Sequence, residues 1–185
     1  MNIWQGSKIK LRSFEPDDGD LFFEMISDTE IQRFVSDIRF PMSRKTAFGV
    51  AAELSEGKNT EEYFFIIEDM NRNKVGTIDI NDFDKRVGSF SFGICIKTEY
   101  QKQGYAAESM YLVLRYFFEE LRCQKVTVQI NNFNTNSIRL AERFGFVKEG
   151  CIRRTIFTKG RHYDELIYGM TVEEFFQRYA QGLVI

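Results

Sequence analysis

The stretch from Phe90 to Tyr111, FSFGICIKTEYQKQGYAAESMY, decides how the rest of the chain is read. Phe92, Ile94, Cys95 and Ile96 make an apolar run of strand length that ends at Lys97. A polar loop over Thr98–Gly104 follows and runs directly into a long amphipathic helix. Gly104 can take a positive φ or let a ligand approach the backbone, and Ala106 keeps the first helical turn narrow. The amides of Gln103 to Ala107 then point outward at the positive end of the helix dipole, a geometry suited to a pyrophosphate. Strand, loop and helix with one glycine also describe many ordinary α/β crossovers. The stretch is neither GxGxxG nor GxxxxGK[ST], so dinucleotide and nucleoside-triphosphate loops are disfavoured.

Upstream, KIKLRSF places Ile9 and Leu11 in alternation, the pattern of a half-buried strand over residues 8–14. Glu15-Pro16-Asp17-Asp18 opens a helix with acids and an early proline, and Leu21, Phe22, Met25 and Ile26 form its apolar stripe. A second helix is expected from about Ser43, where Ser43 and Thr46 precede Ala47, Val50, Ala51 and Leu54. The middle reads as a β-meander, with strands over 63–68, 74–83 and 89–97 separated by turns at Asn71-Arg72-Asn73 and over 82–88. Downstream the pattern predicts a helix over 104–121, a strand over 126–130 and a helix over 135–144. Strands over 147–158 and 162–170 and a helix over 172–179 complete it. Paired hairpin strands followed by strand–helix–strand units predict an α/β (α+β) fold. Its mixed sheet has about seven strands flanked by helices, in one domain over 1–185. Phe64-Phe65, Phe117-Phe118 and Phe175-Phe176 are expected in the core.

Composition narrows the function. With 185 residues, 43% hydrophobic and 28% charged, the chain has the make-up of an ordinary soluble globular protein. A net charge of −2 argues against a nucleic-acid partner, which would call for a concentrated basic face. No run of about 18 apolar residues exists, so neither a membrane span nor a membrane partner is expected. The opening MNIWQGSKIKLRSF lacks an apolar signal core. Cys95, Cys123 and Cys151 are too widely spaced for a CxxC pair, which fits reduced thiols and a cytoplasmic location. His162 is the only histidine and lacks paired ligands, so no metal is expected. The charge is also uneven. Residues 1–100 carry 13 basic and 18 acidic side chains, whereas 101–185 carry 12 basic and 9 acidic. Sequence halves are not surfaces, so the split by itself names no partner.

Gln101-Lys102-Gln103-Gly104-Tyr105-Ala106 matches (Gln/Arg)-x-x-Gly-x-(Gly/Ala), and Asn134-Thr135-Asn136-Ser137, Gly145-Phe146 and Glu149-Gly150 follow in order. The opening, Leu11-Arg12 with Asp17-Asp18, and the ending, Gly160–Asp164 into Tyr168-Gly169-Met170, fit the same pattern. On these motifs the chain resembles the GNAT superfamily of N-acetyltransferases over nearly its whole length. Within it, the chain most resembles the branch of the ribosomal-protein N-acetyltransferases and spermidine N-acetyltransferase.

That resemblance implies a mostly antiparallel sheet in which a splayed strand pair holds acetyl-CoA, a co-substrate whose acetyl group passes directly to an amine. By the same resemblance, the backbone of Ile94, Cys95 and Ile96 pairs with the pantetheine arm. Gln101, Lys102, Gln103, Gly104, Tyr105, Ala106 and Ala107 hold the pyrophosphate, and Asn134 contacts the coenzyme. Ser137 is the expected coenzyme contact and proton donor to the thiolate, its other reading being a residue that caps a free amide. Spermidine acetyltransferases place a tyrosine four residues before the glycine of Gly-Phe; Ala141 stands there. Many relatives carry Glu two residues before the strand-four glycine; Ser91 stands there, so the base comes from elsewhere. Asp37 and Glu30, in the region that forms one acceptor wall, and Asp79 on the adjoining strand are the candidate bases, Asp37 foremost. Glu30 and Asp79 are also expected acceptor contacts, as are Tyr163 and Asp164 on the opposite wall. Solvated surface carboxylates are the plain alternative for these acids. Polyamine, protein N-terminus and small amine are all open as acceptors, and a non-catalytic acyl-CoA sensor is the alternative function. The apolar ending Gly182-Leu183-Val184-Ile185 suits either a homodimer partner or the chain's own core.

Overall fold

The computed structural model describes residues 2–35, 38–57 and 63–183. Seven strands form one sheet: β1 Ile9–Ser13, β2 Tyr63–Asp69, β3 Lys74–Asp84, β4 Ser89–Ile96, β5 Lys125–Asn131, β6 Val147–Thr158 and β7 Arg161–Thr171. Their order is β1-β2-β3-β4-β5-β7-β6. β1 with β2, β2 with β3, β5 with β7 and β6 with β7 are antiparallel, whereas β4 runs parallel to β5. Among the described residues the helices are α1 Gly19–Ser27, α2 Thr29–Val35, α3 Arg44–Ser55, α4 Tyr105–Glu119, α5 Thr135–Phe144 and α6 Val172–Tyr179. The expected mixed, mostly antiparallel sheet is therefore present. The chain packs as two compact units, Met1–Asn81 with Gly93–Val113, and Asp82–Phe92 with Leu114–Ile185.

In the first unit, Phe14, Leu21, Ala51 and Ile66 form a buried cluster against which Met25, Leu54 and Phe64 pack. Ser43 caps α3, its hydroxyl accepting the Thr46 amide at 3.1 Å, as the spacing predicts. The acidic opening is one turn of 3-10 helix over Pro16–Asp18, and its Asp18 is tied to β1. Arg12 donates to both Asp18 oxygens, at 2.7 and 3.0 Å, and to Glu68 at 2.7 Å, while Lys74 reaches Asp18 at 3.0 Å. The Leu11-Arg12 and Asp17-Asp18 pair of the opening is thus a scaffold that joins β1, β2 and β3. Helix α2 was not anticipated. Its cap is Asp28, whose Oδ1 accepts the amides of Glu30 at 3.0 Å and Ile31 at 3.1 Å.

In the second unit, β4 and β5 pair at Ser89↔Lys125 and Phe90↔Val126. Phe90 stacks on Phe117 at 4.3 Å, and Phe118 packs on Phe175 at 5.3 Å. Phe176 departs from the core expectation, being 42% exposed on the outer face of α6. An eight-residue helix with one buried face cannot cover two consecutive aromatics. Gly145 ends α5 with φ of 109°, and the Phe146 amide returns to Ala141 O at 2.9 Å, closing the helix in a left-handed cap. Gly145-Phe146 is therefore the exit of α5, with Phe146 buried behind it.

Candidate active site

In the first unit the decisive stretch folds as its pattern predicts. β4 ends at Ile96, the Lys97 amide bonds Val75 O at 2.9 Å, and one 3-10 turn over Thr98–Tyr100 lifts the chain away. Gln101 turns back, its Nε2 donating to Ile96 O at 3.1 Å. Lys102 and Gly104 both have positive φ, 62° and 88°, so the backbone is coiled rather than extended before α4 begins. The first helical bond is Glu108 N–H to Gly104 O at 3.1 Å. The amides of Tyr105, Ala106 and Ala107 precede it and have no intrahelical acceptor. Gln101, Lys102 and Gln103 are exposed and Gly104 to Ala107 half-buried. Lys8 Nζ donates to Gln103 O at 3.1 Å, which puts a cation beside the loop. The charge of Lys97 is already engaged, at 2.9 Å from Glu24 and 3.0 Å from Glu99.

Two features that no local pattern could reveal hold this stretch. The Glu108 carboxylate is buried and accepts the Ser7 amide and hydroxyl, both at 2.7 Å, the Lys8 amide at 2.8 Å and the Ile9 amide at 2.9 Å. It fixes the N-terminal segment against the first turn of α4, where the helix dipole also favours an anion. Gly76 of β3 is the other. A Cβ there would stand 2.1 Å from Cys95 O, so the two strands approach as they do only because no side chain intervenes.

Ile94, Cys95 and Ile96 lie half-buried at the end of β4. Burial, then the negative charges of Asp79 and Asp28, pushes the Cys95 thiol up to about 12. Near neutral pH that shift keeps it a thiol, and the thiolate is the nucleophilic form. Asp79 of β3 faces Gly93 of β4. A Cβ built on Gly93 would meet its two carboxylate oxygens at 2.9 and 3.0 Å, and Asn81 Nδ2 donates to Asp79 at 2.6 Å. Glu30 sits on α2, paired with Arg33 at 3.1 Å. Asp37 lies outside the described residues, as do Val184 and Ile185 of the apolar ending.

In the second unit, Asn134 rather than Ser137 is the capping residue. Its buried side chain accepts the Ser137 amide at 3.1 Å, and Ser137 itself is half-buried in the first turn of α5. Tyr163 packs edge-on against Phe133 at 4.7 Å, under the guanidinium of Arg161, which also donates to its hydroxyl. Asp164 accepts the amide of Arg154 at 2.9 Å, next to an irregularity in the β6–β7 register between Ile152 and Ile156. Among the described residues no group of three or more His, Cys, Asp or Glu is placed to hold a metal ion. Among them, too, no helix is long and apolar enough to cross a membrane.

Residues 8–147 match the family model described as Acetyltransferase (GNAT) domain. The chain belongs to the GNAT acetyltransferase family. It is 39% identical over 175 residues to the SPbeta prophage-derived uncharacterized N-acetyltransferase YokL of Bacillus subtilis (strain 168), covering 95% of this chain and 96% of that protein. Spermidine N(1)-acetyltransferase of Vibrio cholerae serotype O1 is 30% identical over 100 residues, 54% of this chain and 58% of the relative. The crystal structure of spermidine N-acetyltransferase from Vibrio cholerae in complex with CoA and spermine shares the fold. Its TM-score is 0.82 at 22% identity, covering 92% of this chain and 99% of that one. This GNAT chain is thus an N-acetyltransferase.

Proposed function

We propose that this chain moves the acetyl group of acetyl-CoA directly onto the neutral form of a primary amine. The observation that carries the reading is the loop before α4. Positive φ at Lys102 and Gly104 and the amides of Tyr105, Ala106 and Ala107 form a cradle for the coenzyme's pyrophosphate, with the charge of Lys8 alongside. Gln101 and Gln103 border that cradle. The edge of Ile94, Cys95 and Ile96 takes the pantetheine arm, and one of its amides donates to the thioester oxygen as negative charge develops there. Asn134 orders the start of α5, and the Ser137 hydroxyl is the donor for the departing thiolate. The Cys95 thiol, held protonated by burial and by the charges of Asp79 and Asp28, favours direct transfer over an acetyl-enzyme. Glu30, Tyr163 and Asp164 are proposed acceptor contacts.

The carboxylates of Asp28 and Asp79 near Cys95 favour a cationic acceptor, and the spermidine acetyltransferase relative makes polyamines the first to try. The test is a coupled thiol-release assay with acetyl-CoA against polyamines, N-terminal peptides and small amines, with the acetylated product identified by mass spectrometry. Turnover on one class supports the reading. Acetyl-CoA binding without turnover on any of them would turn it toward a coenzyme sensor.

A further inference from the structure

We propose that Asp79 binds the acceptor's ammonium group and takes its proton, over a face of β4 that Gly93 leaves open. The inference rests on the coenzyme reading above and deepens it. Ser91, Gly93 and Cys95 alternate onto one face of β4, and Thr77, Asp79 and Asn81 onto one face of β3. Any side chain at position 93 would occupy the space now held by the Asp79 carboxylate, since a Cβ there stands 2.9–3.2 Å from its atoms. Asn81 orients that carboxylate with a 2.6 Å bond. Its charge reaches the Cys95 thiol, as does that of Asp28, so an anionic field covers the strand end that carries the thioester.

An alkyl ammonium has a pKa of about 10.4 and cannot attack until it loses a proton. In the proposed step the ammonium gives one proton to Asp79, and the freed nitrogen pair attacks the thioester carbonyl carbon. As the C–N bond forms and the C–S bond breaks, nitrogen loses a second proton and the departing sulfur gains one. Asp79 then returns its proton to water. One ammonium and one thioester become one amide, one thiol and one released proton.

The experiment measures wild type, Asp79→Asn and Gly93→Ala with an amine that the wild type acetylates. Asp79→Asn is expected to lower kcat by about 100-fold or more near neutral pH, the usual scale for losing a positioned base. Its acetyl-CoA affinity in calorimetry stays unchanged, and its rate climbs as rising pH supplies neutral amine directly, a recovery that a merely misfolded variant would not give. Gly93→Ala pushes the carboxylate aside and gives a smaller loss of the same kind. Wild-type kcat in Asp79→Asn would overturn the inference while leaving the acetyltransferase reading standing. So would a pH-recoverable loss in Asp37→Asn with Asp79→Asn unimpaired. A wild type inactive on every amine would remove the reading and the inference together.

Discussion

Glu108 in the first turn of α4 accepts both the amide and the hydroxyl of Ser7, each at 2.7 Å, although 101 residues separate the two in sequence. Through this bond and those to Lys8 and Ile9, the start of the chain is fastened to the helix that follows the coiled loop ending at Gly104. Glu108→Ala would leave buried backbone donors without partners, each worth roughly 1–3 kcal/mol when stranded. Urea unfolding is expected to show a loss of about 3 kcal/mol or more, with acetyl-CoA affinity falling alongside. Glu108→Gln, which keeps one acceptor oxygen, should lose less.

Asp18 sets the acid limit of the first unit. Burial opposes its ionisation, yet the Arg12 guanidinium, the Glu15 amide and the Lys74 ammonium outweigh that and hold its carboxyl at about 2. A carboxyl depressed on folding contributes stability that is complete above its unfolded value and drains away as pH falls toward the folded one. That contribution should therefore fade between about pH 4, the ordinary aspartate range, and pH 2. Thermal melts of Asp18→Asn should be lower than wild type at neutral pH and converge with it near the acid end. Removing one partner of a buried ion pair costs about 3–5 kcal/mol, which sets the scale at neutrality.

Cys95 and Cys151 should respond oppositely to alkylation. Cys151 is exposed on β6, whereas Cys95 is half-buried with its thiol held up at about 12. A brief treatment near neutral pH followed by peptide mapping should label Cys151 and spare Cys95. After incubation with acetyl-CoA alone, no acetyl group should be found on Cys95. A stoichiometric acetyl-Cys95 would point to a covalent intermediate instead of direct transfer.

Local sequence was enough for most of the architecture because the apolar periodicity is strong where elements are long. The residue bounds of α5, β6 and α6 agree with the pattern, and the structure adds a Thr171 capping box that opens α6. The expected helix over 104–121 stops at Glu119 instead, and the chain turns out through a positive φ of 57° at Arg122. Helix α2 escaped because it is seven residues long and owes its existence to the Asp28 cap and to buried Gln32, which accepts the Arg39 amide at 2.6 Å. The strand, coiled loop and helix around Gly104 were legible because they are contiguous in sequence. What joins Glu108 to Ser7, Gly76 to Cys95 and Asp79 to Gly93 is pairing between distant segments, for which the residues carry no local signal. Thus Gly93 looks like an ordinary strand glycine until β3 is laid beside it.

A loop ending at Gly104 that holds the coenzyme makes acetyl-CoA affinity sensitive to that residue, which calorimetric titration of acetyl-CoA into wild type, Gly104→Ala and Gly104→Glu measures. Gly104 has φ of 88°, so both variants carry the same backbone strain, and only Gly104→Glu adds a carboxylate beside the pyrophosphate cradle. The wild type should bind, Gly104→Ala should bind more weakly, and Gly104→Glu should show no measurable binding while remaining folded by circular dichroism. Unchanged affinity in Gly104→Glu would mean that the coenzyme phosphates lie elsewhere.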